Sequence, residues 1–263
     1  MRVRPKKSFG QHFLKSGKVV RAIIEAAEIV QGETVVEVGP GTGVLTRALV
    51  ETGARVIAIE ADRDLIPSLE ADFGDTIKLV CADALHFDYS LLPTAYSLTS
   101  NLPYNVGTEI LKRFLTAKHP PSRCVVMVQK EVGERMLAAP GKMSLLSVAV
   151  QLYTDPKRVI NVSSGSFSPP PKVDSVVVRL NWNPKTQHPE AVIALAKAGF
   201  RARRKQLHRN LADVGVKTSE ETKAWLLSRG LPETARAQEL SLKDWIDLCY
   251  NTSGYGRISP PDV

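Results

Sequence analysis

Four consecutive residues, Asn101, Leu102, Pro103 and Tyr104, follow a short apolar run and can do chemistry on the exocyclic amine of a nucleobase. The lone pair of such an amine is delocalised into its ring, so the nitrogen is a poor nucleophile. The Asn101 carboxamide oxygen can accept one N–H, and a backbone carbonyl near Leu102–Pro103 can accept the other. Two acceptors pull the nitrogen toward a pyramidal shape and aim its lone pair outward. Pro103 fixes φ and pre-organises the local backbone. Tyr104 offers a ring for stacking, worth roughly 1–3 kcal/mol per base. A strand ending in a turn also explains a proline, but leaves the asparagine unexplained.

An electrophile must stand beside that amine, and a second cluster suggests where. Residues 37–43 read EVGPGTG, between a short β-branched run and a helical stretch. Glycines there permit positive φ and a close approach of ligand to backbone. Gly39, Gly41 and Gly43 give G-x-G-x-G, whereas the dinucleotide fingerprint is G-x-G-x-x-G, and position 44 is Val. Glu37 precedes the loop, where a carboxylate can meet the ammonium of an amino-acid ligand. Glu60 ends the next apolar run, where an acid can accept both hydroxyls of a ribose. Asp83 ends the third and can reach an adenine amino group. Taken together these fit S-adenosylmethionine better than a nicotinamide dinucleotide. The order Asn-x-Pro-Tyr matches the N/D-x-P-Y/F class found in enzymes that methylate exocyclic amines.

Two further segments carry weaker signals. GSFSPPPKVD (165–174) is a stiff proline loop. Phe167 before it can form the other wall around a flipped base, although taken without context a core Phe on a rigid connection is the favoured reading. FRARRKQLHRNL (200–211), read as a helix, puts Phe200, Leu207 and Leu211 on one stripe. Arg201, Lys205, His208 and Arg209 then share an adjacent face suited to phosphates, or to water alone.

The elements that must position these residues follow from periodicity. Strands are expected at 34–39, 55–60, 77–83, 96–103 and 123–130, all rich in Val and Ile. Helices are expected at 17–31, 44–53, 61–74, 107–118, 130–138 and 143–153. The alternation predicts an α/β fold: a Rossmann-like, seven-stranded, mostly parallel sheet with helices on both faces. Segments 157–162 and 175–180 read as an antiparallel, hairpin-like pair closing it. After residue 183 the strand signal stops, and helices are expected at 190–200, 201–213, 219–229 and 240–250. The domain boundary is therefore placed at 185, with 186–263 a small helical domain that contacts RNA or ribosome.

Composition narrows the setting. A net charge of +8 admits a polyanionic partner. Three cysteines, Cys81, Cys124 and Cys249, lack zinc or disulfide spacing, and the five histidines are scattered, so no metal is assigned. A reducing, cytoplasmic compartment fits these thiols. The N-terminus is basic with no apolar run behind it, which does not read as a secretory signal. No apolar stretch approaches a membrane span.

The motifs together resemble the small-subunit rRNA adenine N6-dimethyltransferases, the KsgA/RsmA family. KKSFGQHFL (6–14), EVGPGTGVLT (37–46), IEAD (59–62), NLPYN (101–105), FSPPPKVDSVVVRL (167–180) and FRARRKQL (200–207) occur in that family's order. The resemblance implies a class I methyltransferase domain with a C-terminal helical appendage. It implies S-adenosyl-L-methionine as cofactor, held by His12, Leu14, Gly39, Glu60, Asp83 and Asn101; the reading of the glycine loop adds Gly41 and Gly43 to the cofactor-binding set. Base positioning falls on Asn101, Leu102, Pro103, Tyr104 and Phe167, and RNA contacts on Lys6, Lys7, Arg201, Arg204 and Lys205. The reaction would dimethylate two adjacent adenosines in the 3′-terminal hairpin loop of small-subunit (16S) rRNA, using four cofactor molecules per RNA. The substrate would be an immature 30S particle and the enzyme monomeric. Position 12 is His where many relatives carry Asn, and Asp83 sits in CAD where GD or ED is usual. Rival readings are a large-subunit rRNA adenine methyltransferase of the antibiotic-resistance type, a non-catalytic RNA-binding assembly or transcription factor, and an NAD-dependent dehydrogenase.

Overall fold

The computed structural model describes residues 11–250, which divide into two compact units. Lys6 and Lys7 lie outside the described residues. The first unit, up to Glu134 together with Asp155–Trp182, is built on the strands. In chain order these are β1 (Phe13–Leu14), β2 (Thr34–Val38), β3 (Arg55–Glu60), β4 (Ile77–Cys81), β5 (Ser97–Asn101), β6 (Arg123–Gln129), β7 (Thr154–Val162), β8 (Phe167–Ser168) and β9 (Ser175–Trp182). Seven form one sheet in the order β4-β3-β2-β5-β6-β9-β7. The pairs from β4 to β6 are parallel, and β9 runs antiparallel to β6. Both faces of the central strands are buried, with Val35, Val36 and Leu98 inaccessible. That is why these segments read as continuous β-branched runs without polar alternation. β7 and β9 are neighbours at the sheet edge. They are not a plain hairpin, because the chain between them forms β8, which pairs antiparallel with β1.

Strand order reverses between β2 and β5, since β3 and β4 lie on one side of β2 and β5 on the other. Side chains and loops at the carboxyl ends of these four strands therefore converge on one crevice. Helices α1 (Gly17–Ala27), α2 (Val44–Glu51), α3 (Ile66–Phe73), α4 (Gly107–Leu115) and α5 (Lys130–Met136) fill the crossovers. α3 begins five residues later than periodicity suggests. Glu60 and Asp62 accept the backbone N–H groups of Asp62 and Asp64 at 2.8 and 3.2 Å, which holds the chain in a turn first.

The second unit contains Arg135–Thr154 and everything from Asn183. Its helices are α6 (Leu145–Tyr153), α7 (Pro189–Gly199), α8 (Leu207–Ala212), α9 (Ser219–Ser228) and α10 (Leu242–Tyr250). The sequence reading counted 143–153 with the sheet; here α6 packs on α7 and α10 instead. Inaccessible Trp245 lies so close to Gly199 that a Cβ there would come within 2.5 Å of its ring.

The long helix expected over 201–213 is replaced by a turn and the short α8. Buried Asn210 donates to the carbonyls of Gly199 and Ala202 at 2.6 and 3.1 Å, and the Leu207 N–H donates to Ala235 O at 2.8 Å. These tertiary bonds outbid the helical pattern of 200–206. His208 consequently leaves the supposed basic face. It is buried, and its ring nitrogens bond Ser219 and Gln206.

Candidate active site

A cavity of about 270 Å³ opens at the carboxyl ends of β2, β3, β4 and β5. Its floor is the glycine loop. Gly41 has φ +60°, and a Cβ there would lie 3.0 Å from the Phe13 ring, so only glycine lets β1 pass over the loop. Gly39 and Gly41 line the cavity; Gly43 does not. Gly43 instead starts α2 at φ +75°, under the Phe73 ring, so its role is to seat the helix.

Three acids face this space. Glu37 is buried, and Thr46 Oγ1 donates to its Oε2 at 2.7 Å. Burial pushes its carboxyl up to about 8, with the nearby Glu60 charge adding to the rise and the Thr46 bond opposing it. Glu60, also buried, accepts backbone N–H groups from Asp62 at 2.8 Å and Gly41 at 3.3 Å. Burial still raises it above the ordinary carboxylate range. Burial disfavours the charge on both acids, and a cation entering the cavity would favour their ionised forms. Asp83 at the end of β4 is half exposed and accepts from Leu85 N at 2.8 Å.

The opposite wall is the Asn101–Tyr104 element. Asn101 Oδ1 is buried yet has no hydrogen-bond partner among the described residues. A buried acceptor left unpaired costs about 1–3 kcal/mol, and at a cavity wall it marks a place where a donor belongs. Of the two backbone carbonyls left open by the sequence, Pro103 O is committed, accepting from Val106 N and Gly107 N at 3.3 and 2.7 Å. Leu102 O accepts nothing among the described residues, while Leu102 N is anchored on Met127 O at 3.2 Å. Ser100 Oγ donates to Val38 O at 2.6 Å, stitching the end of β5 to the end of β2 beside the glycine loop.

Around Tyr104 the rings are close. His12 stacks on it with centroids 5.6 Å apart and planes at 30°. Phe167 meets it edge-on at 6.3 Å. Phe167 is 1% exposed and belongs to the core, so it does not form a cavity wall as expected, but backs the Tyr104 ring. The N-terminal segment closes the crevice from above: Gln11, His12, Phe13 and Leu14 all line it. Gln11 Nε2 donates to Asp62 Oδ2 at 2.8 Å and His12 Nδ1 to Pro169 O at 2.8 Å. Arg201, Arg204 and Lys205 lie in the second unit, all exposed.

A model for ribosomal RNA adenine dimethylases matches residues 2–252 of this chain. The chain belongs to that family. The dimethylase is 42% identical to a "Ribosomal RNA small subunit methyltransferase A" of Phenylobacterium zucineum, over 92% of this chain and 86% of that one. It is 41% identical to the protein of that name in Deinococcus radiodurans, over 91% and 83%. Among solved structures it resembles a dimethyladenosine transferase from Plasmodium falciparum (TM-score 0.74, 27% identity, 90% of this chain and 96% of that one). The 23S rRNA methyltransferase ErmE gives the same TM-score at 25% identity, covering 90% and 98%. The fold therefore is that of a class I methyltransferase, and the backbone alone does not separate small- from large-subunit enzymes.

Asn101 Oδ1 and Leu102 O thus stand as two open acceptors at the end of β5. Sequence reasoning missed Gln11, Thr46, Asp62 and Ser100. Gln11, Thr46 and Asp62 had a signal, as members of the quoted motifs; Ser100 had none, because it acts through a bond that spacing does not show. Among the described residues no group of His, Cys, Asp and Glu is placed to hold a metal ion, and no helix is long and apolar enough to cross a membrane.

Proposed function

We propose that this dimethylase transfers methyl groups from S-adenosylmethionine to N6 of two adjacent adenosines in the 3′-terminal hairpin loop of small-subunit rRNA, within an immature small subunit. The observation that carries the reading is the pair of uncommitted acceptors, Asn101 Oδ1 and Leu102 O, on the wall of a cavity floored by the glycine loop. The cofactor supplies a methyl group already activated by its sulfonium. Glu37 receives the cofactor's positive ammonium end, Glu60 its ribose hydroxyls, and Asp83 its adenine. His12 and Leu14 close over it from β1. Asn101 and Leu102 each accept one amine hydrogen, so the nitrogen lone pair turns toward the methyl. Tyr104 carries the flipped base on its ring. Alignment and fixed dipoles supply the acceleration, with no covalent enzyme intermediate.

The relatives' names, all small-subunit, favour that substrate over large-subunit rRNA. Cys81, Cys124 and Cys249 form no disulfide among the described residues, which favours a cytoplasmic setting, and we take the working enzyme to be a monomer with the second unit contacting RNA. Mass spectrometry of unmethylated small subunits incubated with the enzyme and labelled cofactor tests this. Two dimethyladenosines near the 3′ end are expected, and label confined to large-subunit rRNA would overturn it. Asn101→Ala should lower turnover by at least a hundredfold while cofactor affinity falls only severalfold; turnover near wild type would remove the central role of that carboxamide.

A further inference from the structure

The segment from Phe167 to Ser175 has no assigned part in the reaction beyond Phe167, yet both rings at the base-binding wall are tied to it. His12 Nδ1 donates to Pro169 O at 2.8 Å. The Tyr104 and Ser175 hydroxyls share a hydrogen bond across 71 residues of sequence. Phe167 lies edge-on to the Tyr104 ring at 6.3 Å. The segment is itself anchored at both ends. Asp174 accepts Ser164 N at its Oδ1 (3.0 Å) and Lys130 N at its carbonyl (2.9 Å), and Lys15 N donates to Ser166 O at 2.9 Å. Ser175 is inaccessible and opens β9, opposite Gln129 of β6. It therefore stands on the sheet, while Tyr104 stands on the loop after β5.

We propose that Ser175 is a positioning residue for the base: through the Tyr104 hydroxyl it holds the stacking ring where an adenine must lie to present its amine to Asn101 and Leu102. This rests on the reading that Tyr104 carries the flipped base. The phenol oxygen lies on the axis about which the ring flips, so the Ser175 bond does not set the ring plane. It sets where the far end of the ring points. The plane is held by the ring's contacts with Phe167 and His12. A hydroxyl deprived of its partner is driven toward water or another acceptor, and Tyr104 lines the cavity. Loss of Ser175 would leave the far end of the ring free to shift from where the base must lie. A Phe at position 104 has no hydroxyl to satisfy and no need of Ser175.

The test is a double-mutant cycle on unmethylated small subunits, with cofactor affinity measured separately by calorimetry and folding by thermal melts. Ser175→Ala should lower kcat roughly three- to tenfold, the range of one lost hydrogen bond, with cofactor Kd within twofold of wild type. Ser175→Thr, which keeps the hydroxyl, should restore it. In a Tyr104→Phe background Ser175→Ala should have no further effect. A 2-aminopurine placed at the target adenosine of an RNA hairpin should be quenched less by Ser175→Ala than by wild type. An unchanged kcat in Ser175→Ala, or an equal loss in both backgrounds, would overturn the proposal, as would a matching fall in cofactor affinity. Tyr104→Ala separates it from the parent reading. If that variant keeps full turnover, Tyr104 does not carry the base at all. If it loses turnover while Ser175→Ala does not, only the brace fails.

Discussion

Glu37 shows how one buried carboxyl ties the cavity to pH. Its carboxyl titrates at about 8, so near neutrality it is mostly protonated without ligand. A positively charged ligand favours the ionised form and expels that proton. Cofactor affinity should therefore rise as pH climbs from 6 toward 8 and level off above. Near pH 7, binding should release close to one proton. Titrations in two buffers of different ionisation enthalpy read this directly, because the apparent binding enthalpies must differ between them. Equal enthalpies would mean that Glu37 does not face the charge. For folding the sign is reversed. A carboxyl raised from 4.5 contributes stability that is full below that value and lost as pH rises through about 8. Glu37→Gln should remove most of the proton release. Thr46→Val removes the donor that favours ionisation, so it should move the affinity rise to higher pH.

Among the elements, the glycine loop and α2 depend on each other. Gly43 has φ +75° at the start of α2, and a Cβ there would sit 2.6 Å from the Phe73 ring of α3. Gly43→Ala must bear the left-handed backbone, about 1–2 kcal/mol, and also push α3 aside. A loss of about 2 kcal/mol or more in urea unfolding is expected; a loss below 0.5 kcal/mol would show that α3 yields freely. The same contrast between local and distant causes separates what was legible in the sequence from what was not. The parallel strands were legible because both their faces are buried, which leaves Val and Ile at adjacent positions in runs such as Thr34–Val38 and Arg55–Glu60. The loop and its acids were legible because they lie at strand ends with fixed spacing. The turn at 201–206 was not, because Asn210 and Ala235 impose it from outside the segment. Nor was the fate of Phe167: periodicity does not say whether a ring before a proline run faces a ligand or the core. The Tyr104–Ser175 bond spans too much chain for any spacing to reveal.

At the scale of the whole chain the net charge of +8 needs a location before it means anything. The exposed turn at 201–205 in the second unit offers one, and its cations are not equivalent. Lys205 Nζ is paired with Asp213 at 2.8 Å, whereas Arg201, Arg203 and Arg204 form no ion pair among the described residues. A phosphate approaching Lys205 must first displace a carboxylate; one approaching Arg204 need only displace water and counterions. Each phosphate neutralised contributes roughly 0.9 to the slope of log affinity against log salt. Arg204→Glu should therefore weaken binding to small-subunit RNA severalfold at 150 mM salt and flatten that slope by about one. Lys205→Ala should do less, since the Lys205 charge is already met by Asp213. In both variants kcat at saturating RNA and cofactor affinity should match wild type, because the glycine loop and the Asn101–Tyr104 element belong to the other unit. Filter binding across a salt series decides it: an unchanged slope in Arg204→Glu would move the phosphate contacts elsewhere, and a Lys205→Ala effect larger than that of Arg204→Glu would reverse the ranking drawn from the Asp213 pair.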